Sequence, residues 1–317
     1  MKAVLFRRYG GPEVLEVADV PEPIPGEREA LVEVHASSVN PVDWKVRAGL
    51  LQKIFPLEFP VITGRDGAGV IAGLGPGAEG VAVGDEVCFI AGRGQGTCAE
   101  RITIRADRLA HKPGRTSMAE AAAFPLAGVS AWIALAETGA VKPGMKVLVH
   151  AGAGGVGGMA IQIARHLGAS VVATCSVDNA DYVRSLGADG IIAYDREDFA
   201  STGPVFDVVL DTLGGDVHRR SYQVLKKNGT LAYLVAKPIE DLSARYAVST
   251  RLAVVRDDPG VLRLLAALVG EGRLLPQVGK TLPFTQAAGA QRMSESGHAR
   301  GKIVLTMKPA RRGGARS

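Results

Sequence analysis

Val147-Leu148-Val149-His150-Ala151-Gly152-Ala153-Gly154-Gly155-Val156-Gly157 is the stretch on which the reading of this sequence turns. Three apolar residues of a buried strand run into a glycine-rich turn, and from 156 to 167 the apolar spacing is helical. Gly152 permits the tight bend, Gly154 lets a backbone approach a pyrophosphate, and Gly157 lets helix pack on strand. A helix starting there offers free N–H groups and a positive dipole end to phosphates. A glycine-rich turn alone is also consistent with a purely structural bend. Here strand, turn, helix and next strand agree in spacing, so Gly152, Gly154, Gly155, Val156 and Gly157 are read as dinucleotide-binding.

Downstream, strands expected at 171–174, 190–193, 208–210, 231–235 and 252–255 alternate with helices at 179–186 and 218–225. Such alternation signals a doubly wound parallel sheet, a Rossmann domain. Upstream, short strands at 2–6, 29–36, 69–74, 85–91 and 99–104 are broken by glycine and proline, which reads as β-rich. After a helix at 261–269 the pattern returns to strands and turns, ending in Gly301-Lys302-Ile303-Val304-Leu305. The fold class is therefore α/β: a β-rich domain from residues 1–118 and 257–317, with a Rossmann domain, 119–256, inserted. A ligand is expected in the cleft where the two meet.

Composition narrows the class further. The 317 residues are 47% hydrophobic and 22% charged, enough for a sizeable core and for two domains, which excludes a disordered or low-complexity chain. Cys88, Cys98 and Cys175 form no disulfide framework or metal spacing, which fits a reducing compartment, and Cys98 reads as core packing rather than a nucleophile. The six histidines are scattered. Of the net charge of +5, Lys308, Arg311, Arg312 and Arg316 carry four, so the basic balance argues against a nucleic-acid surface. Charges interrupt the start too early for a secretory signal, and the longest uncharged apolar run, 121–136, contains Pro125 and is shorter than a membrane span. A cytoplasmic protein without a membrane or nucleic-acid partner is the expectation.

The second Rossmann strand ends near Cys175, where an acid that binds the ribose is usual. Ser176 stands there, and a neutral serine does not repel a 2′-phosphate, which favours NADPH over NADH. Against this, residues 177–180 supply no cation, and Asp178 is an alternative partner for the ribose hydroxyls.

Val39-Asn40-Pro41-Val42-Asp43-Trp44, Phe59-Pro60-Val61-Ile62-Thr63-Gly64-Arg65-Asp66-Gly67-Ala68-Gly69, Val83-Gly84-Asp85-Glu86-Val87, Glu120-Ala121-Ala122-Ala123-Phe124-Pro125 and Ser130-Ala131-Trp132 occur in order. With them the sequence resembles the medium-chain dehydrogenase/reductase superfamily, in its zinc-independent quinone oxidoreductase branch, over nearly its whole length. The resemblance implies a GroES-like β-rich domain and hydride transfer from NADPH to a quinone or conjugated carbonyl. The zinc-holding relatives need a thiolate and a histidine where this chain has the Asn40 segment and Gly64-Arg65-Asp66, so no zinc is expected. An electron-poor quinone or enone accepts hydride without a metal.

By the same resemblance, Asn40 stands beside the nicotinamide and the substrate, and Asp43 either contacts the ligand or braces the loop, for instance to Arg47. Ser130 reaches the nicotinamide side and Tyr194 packs by the adenosine phosphate. Thr212 lies at the carboxyl edge of the sheet, where ligands bind. Bland alternatives stand beside each: Asn40 as a turn initiator, Ser130 bonding its helix backbone, Tyr194 as a strand-end aromatic, Thr212 as a turn former. Tyrosines of some relatives are replaced by Lys45 and Leu51, which leaves a solvent proton as the favoured donor. A homodimer through the edge strand at 252–255 is implied by analogy. Rival readings are an enal/enone or enoyl-thioester reductase, and a non-catalytic NADPH-binding regulatory protein.

Overall fold

The computed structural model describes residues 1–92, 94–235 and 238–307, so the basic tail lies outside the described residues. The chain forms two compact units. The first comprises residues 1–126, 257–270 and 278–317, and the second residues 127–256 and 271–277. The junction falls after Leu126 rather than after residue 118. Its cause is local: Ser117 caps the helix Met118–Ala123 through a reciprocal pair with Glu120, and that helix buries Ala121, Ala122 and Ala123 in the first unit. The segment 271–277 joins the second unit because the Gln162 side chain bonds both the N–H and the C=O of Leu275, at 2.7 and 3.1 Å.

The first unit is built on the strand Glu29–Val39, whose early residues alternate between core and half-buried positions, with Ala30, Val32 and Val34 inward. Along one edge it pairs with Asp66–Leu74. The other edge is shared, with Arg101–Arg105 on its first half and Lys302–Thr306 on its second. Further strands, Val278–Pro283 on one side and Glu86–Ile90 with Ala110–His111 on the other, complete this sheet. A smaller antiparallel sheet orders Glu16–Asp19, Lys2–Phe6 and Val61–Ile62. The core gathers Val32, Val34, Ile71, Phe89, Ile104 and Leu305. Texture alone did not indicate the helix Ala287–Glu295, which lies where only strands and turns were expected.

The second unit holds a six-stranded parallel sheet of β1 (Lys146–Val149), β2 (Ser170–Cys175), β3 (Gly190–Ala193), β4 (Phe206–Asp211), β5 (Leu225–Tyr233) and β6 (Ser249–Leu252). The order is β3-β2-β1-β4-β5-β6, with every pairing parallel. The direction of winding reverses at β1, and the carboxyl ends of strands flanking such a reversal are where ligands bind. Two expectations move. The edge strand is 249–252 and not 252–255, because its register with β5 runs from Thr230 opposite Ser249 to Tyr233 opposite Leu252, where β5 ends. The helix expected over 218–225 is Gly215–Ser221, a single tighter turn follows, and Leu225 already opens β5. Among the described residues, no helix is long and apolar enough to cross a membrane.

Candidate active site

Register builds a buried polar cluster in the first unit. Ile303 opposes Val39 and Asp66 opposes Ser38, so Lys302, Asp66 and Asn40 converge just past the end of the central strand. Asp66 is fully buried and accepts from Ser38 Oγ at 2.8 Å, Asn40 Nδ2 at 2.8 Å, Lys302 Nζ at 3.3 Å and the Leu126 N–H at 2.8 Å. Asn40 also gives its second amide hydrogen to the Ser38 carbonyl, at 3.3 Å, while its Oδ1 accepts from Lys302. An ammonium can only donate, so the orientation of the Asn40 amide is dictated. Both of its N–H bonds are spent inside the protein, and what it has left to offer a ligand is a lone pair on Oδ1.

Asp43 accepts the Asn40 backbone N–H at 2.7 Å, which ties off the first turn of the helix Pro41–Arg47. Its brace is thus to its own helix start. Arg47, the partner suggested from sequence, pairs with Glu295 instead. Burial pushes the Asp43 carboxyl up to about 7, against the hydrogen bond from Asn40 and the Lys302 charge, which favour ionisation. Lys45 lies over the Trp44 ring, 5.5 Å from its centroid. Cys98 is buried and its thiol is pushed up by desolvation, as a packing residue's should be.

Zinc does not fit this cluster. Its donor set is one carboxylate already taken by four donors, and the Lys302 ammonium supplies the positive charge that a dication would bring. Among the described residues, no group of three or more His, Cys, Asp or Glu is placed to hold a metal ion.

In the second unit the glycines of the turn divide into those that packing requires and one that it does not. A Cβ on Gly157 would stand 2.1 Å from the Ala151 carbonyl oxygen, and one on Gly152 would stand 2.8 Å from the Ala173 Cβ, so the protein's own packing requires both. Gly154 differs. At φ −80° it needs no glycine for conformation, and a Cβ there meets nothing nearer than 3.4 Å. Its bare backbone leaves room for something outside the chain, which is the cradle a pyrophosphate needs. Gly154 caps the helix Gly155–His166, whose first N–H groups, those of Gly155, Val156 and Gly157, have no partner within the helix by its geometry. These residues fit a dinucleotide.

The turn is held by a directional chain of hydrogen bonds. Ser221 Oγ donates to the Val217 carbonyl at 2.7 Å, so it accepts from His150 Nε2 at 3.0 Å. His150 therefore carries its proton on Nε2, and its Nδ1 accepts from Thr174 Oγ1 at 3.2 Å. Thr174 Oγ1 in turn accepts the Ala151 N–H at 3.2 Å. Ala151 is left-handed at φ 55°, a conformation that costs an alanine ~1–2 kcal/mol and persists because this chain holds it. Burial keeps His150 neutral, lowering its pKa to about 4. At the end of β4, Asp211 accepts from the Leu213 and Gly214 N–H groups and from His218 Nδ1, at 2.8, 2.9 and 2.8 Å. Burial opposes its ionisation, but those bonds hold its carboxyl below the usual range.

The other expected cofactor residues stand at the carboxyl ends of this sheet or beside them. Thr212 donates to the His150 carbonyl at 3.3 Å, joining the ends of β1 and β4. Tyr194 is 55% exposed just past β3. Ser176 follows β2, and its hydroxyl accepts from Asn179 at 2.8 Å. Ser130 is nearly buried in the helix Pro125–Trp132 but makes no hydrogen bond among the described residues, so the reading in which it bonds its own helix is removed. Sequence reasoning quoted Asp66 and Lys302 without giving them a role; a lysine opening an otherwise apolar terminal strand was the available signal. Asp195 carried no signal.

A glycine-turn parallel sheet joined to a β-rich unit defines a nucleotide-binding oxidoreductase fold. Residues 26–134 match the alcohol dehydrogenase GroES-like domain, and residues 186–305 match the family described as zinc-binding dehydrogenase. The chain is 31% identical over 325 residues to the chloroplast envelope quinone oxidoreductase homolog of Arabidopsis thaliana, covering 96% of this chain and 98% of that protein. It is 34% identical to the NADPH-dependent alkenal/one oxidoreductase of the same plant, covering 96% and 79%. The structure of the quinone oxidoreductase from Coxiella burnetii superposes with a TM-score of 0.88 at 34% identity, covering 97% of this chain and 99% of that one. The chain belongs to the medium-chain dehydrogenase/reductase superfamily, in its quinone oxidoreductase-like branch.

Proposed function

We propose that this protein is an oxidoreductase that passes hydride from a reduced nicotinamide dinucleotide to a quinone or conjugated carbonyl without a metal. The observation that carries the reading is the open position above Gly154, at a turn where Gly152 and Gly157 are explained by packing. A bound dinucleotide supplies the hydride; the protein's residues bind and orient it. The N–H groups of Gly155, Val156 and Gly157 hold the pyrophosphate, Ser130 and Thr212 serve the nicotinamide side, and Tyr194 and Ser176 the adenosine side. On the acceptor's side, Asn40 and Asp43 serve the reaction by resemblance, with the Asn40 amide locked by Lys302 and Asp66.

With Lys45 and Leu51 where some relatives carry tyrosines, no phenol stands at those positions to donate, and the proton that completes reduction of a conjugated carbonyl comes from solvent. Lys302, whose ammonium donates to both Asn40 and Asp66, supports the metal-free route. The alkenal/one oxidoreductase relative favours the enone as a second substrate class beside quinones. The test is oxidation of NADPH and NADH followed optically with a panel of quinones, enals and enoyl thioesters, before and after chelation. Turnover with quinones or enones that survives EDTA is expected. Tight dinucleotide binding with no acceptor reduced would instead favour the regulatory protein, and activity restored only by zinc would remove the metal-free reading.

A further inference from the structure

We propose that Asp195, seated on the N–H of Val177, makes this chain select NADH over NADPH, against the preference that Ser176 alone suggests; the inference rests on the dinucleotide site proposed above. β3 lies beside β2 with Ala193 opposite Cys175, and the Tyr194 N–H extends that ladder to the Cys175 carbonyl at 3.0 Å. The next residue, Asp195, arrives beside the turn that follows β2, and its Oδ1 accepts the Val177 N–H at 2.9 Å.

In a sheet of this order the adenosine ribose lies at the end of β2. A 2′-phosphate there needs donors and a cation, while a free ribose diol needs acceptors. The Val177 N–H, a donor a phosphate would use, is already taken by a carboxylate. Asp178 adds a second negative charge on the same turn, and among the described residues neither Asp178 nor Asp195 is in an ion pair. Arg184, the cation that with Asp195 influences Cys175, is paired with Asp181 at 3.0 Å. What remains is Asp195, Asp178 and the free hydroxyl hydrogen of Ser176, a set suited to the two ribose hydroxyls. A phosphate monoester brings a charge of about −1.5 to −2 to this place. The remaining cation adjoining in sequence is the exposed Arg196.

The experiment is titration of NADH and NADPH into the full chain, read by calorimetry or nicotinamide fluorescence without any acceptor, for the wild type, Asp195→Asn, Asp195→Arg and Arg196→Ala. The wild type binds NADH at least about tenfold more tightly, the scale that ~1.4 kcal/mol of like-charge repulsion sets, and the gap narrows as salt rises. Asp195→Asn, which keeps an acceptor for Val177 but loses the second acceptor offered to the ribose diol, tightens NADPH several-fold and weakens NADH; Asp195→Arg narrows the gap at least about tenfold. Equal or tighter NADPH binding by the wild type, NADPH affinity indifferent to both Asp195 variants, or NADPH binding that collapses in Arg196→Ala would each overturn the assignment. If the wild type binds neither dinucleotide, the proposed function falls and this inference with it.

Discussion

A neutral imidazole is the joint on which the glycine turn hangs. His150 accepts at one ring nitrogen and donates at the other, so the chain from the Ala151 N–H through Thr174, His150 and Ser221 runs one way. Thr174→Val strands a buried acceptor and the N–H of a left-handed alanine, and is expected to cost ~1–3 kcal/mol in urea unfolding, with Thr174→Ser recovering most of it. Equal losses in the two variants would show that the hydroxyl is not what matters. Asp43 gives a pH-dependent counterpart. Its folded pKa, about 7, lies above its ordinary value of 3.8, so the folded state holds the extra proton between these values and stability contributed at this site falls as pH rises through that window. The stability of Asp43→Asn relative to wild type is therefore expected to climb from pH 4 to pH 7 and level off above; a flat difference across thermal melts would remove the raised pKa. At this scale the sequence was half legible. Asn40 and Asp43 were picked out, but the tautomer of His150 and the engagement of both Asn40 hydrogens depend on partners as far away as Lys302, which no local pattern reveals.

At the scale of elements, the glycines of one turn separate folding from binding. Gly157→Ala drives a methyl to 2.1 Å from the Ala151 oxygen and is expected to unfold the turn, lowering stability by more than ~2 kcal/mol. Gly154→Val places its Cβ in ordinary contact and is expected to keep the melting temperature while weakening dinucleotide binding at least about tenfold. Unchanged affinity in a folded Gly154→Val protein would count against the turn as the phosphate site. This turn was readable because strand, glycines and helix are contiguous. Elements set by partners were not. The strand at 249–252 stops where β5 stops, and the helix before β5 ends early so that Tyr222 and Val224 can be buried, which hydrophobic spacing alone does not encode. The helix Ala287–Glu295 carries Gln291, which is buried on Thr63 at 2.9 Å, and its mixed polarity hid it.

Over the whole molecule, two distant parts of the chain meet in one sheet, since Lys302–Thr306 pairs with Glu29–Val39. That closure explains why a β-rich pattern appears on both sides of the parallel sheet in sequence, and it delivers Lys302 to Asn40. The same scale governs assembly. β6 is the last strand of its sheet, and Leu252 and Val254 are 48% and 68% exposed along and just beyond it. A sheet edge with unpaired backbone groups and exposed apolar side chains at its end is a template for pairing with another copy, as the family resemblance implies. Sedimentation is expected to give twice the mass of a single chain, and the double variant Leu252→Lys, Val254→Asp to give the monomer. Both side chains already face solvent in the single chain, so that variant should unfold within ~0.5 kcal/mol of the wild-type monomer when extrapolated to low concentration. A wild type that sediments as one chain, or a charged variant that still pairs, would show that this edge is not the dimer surface.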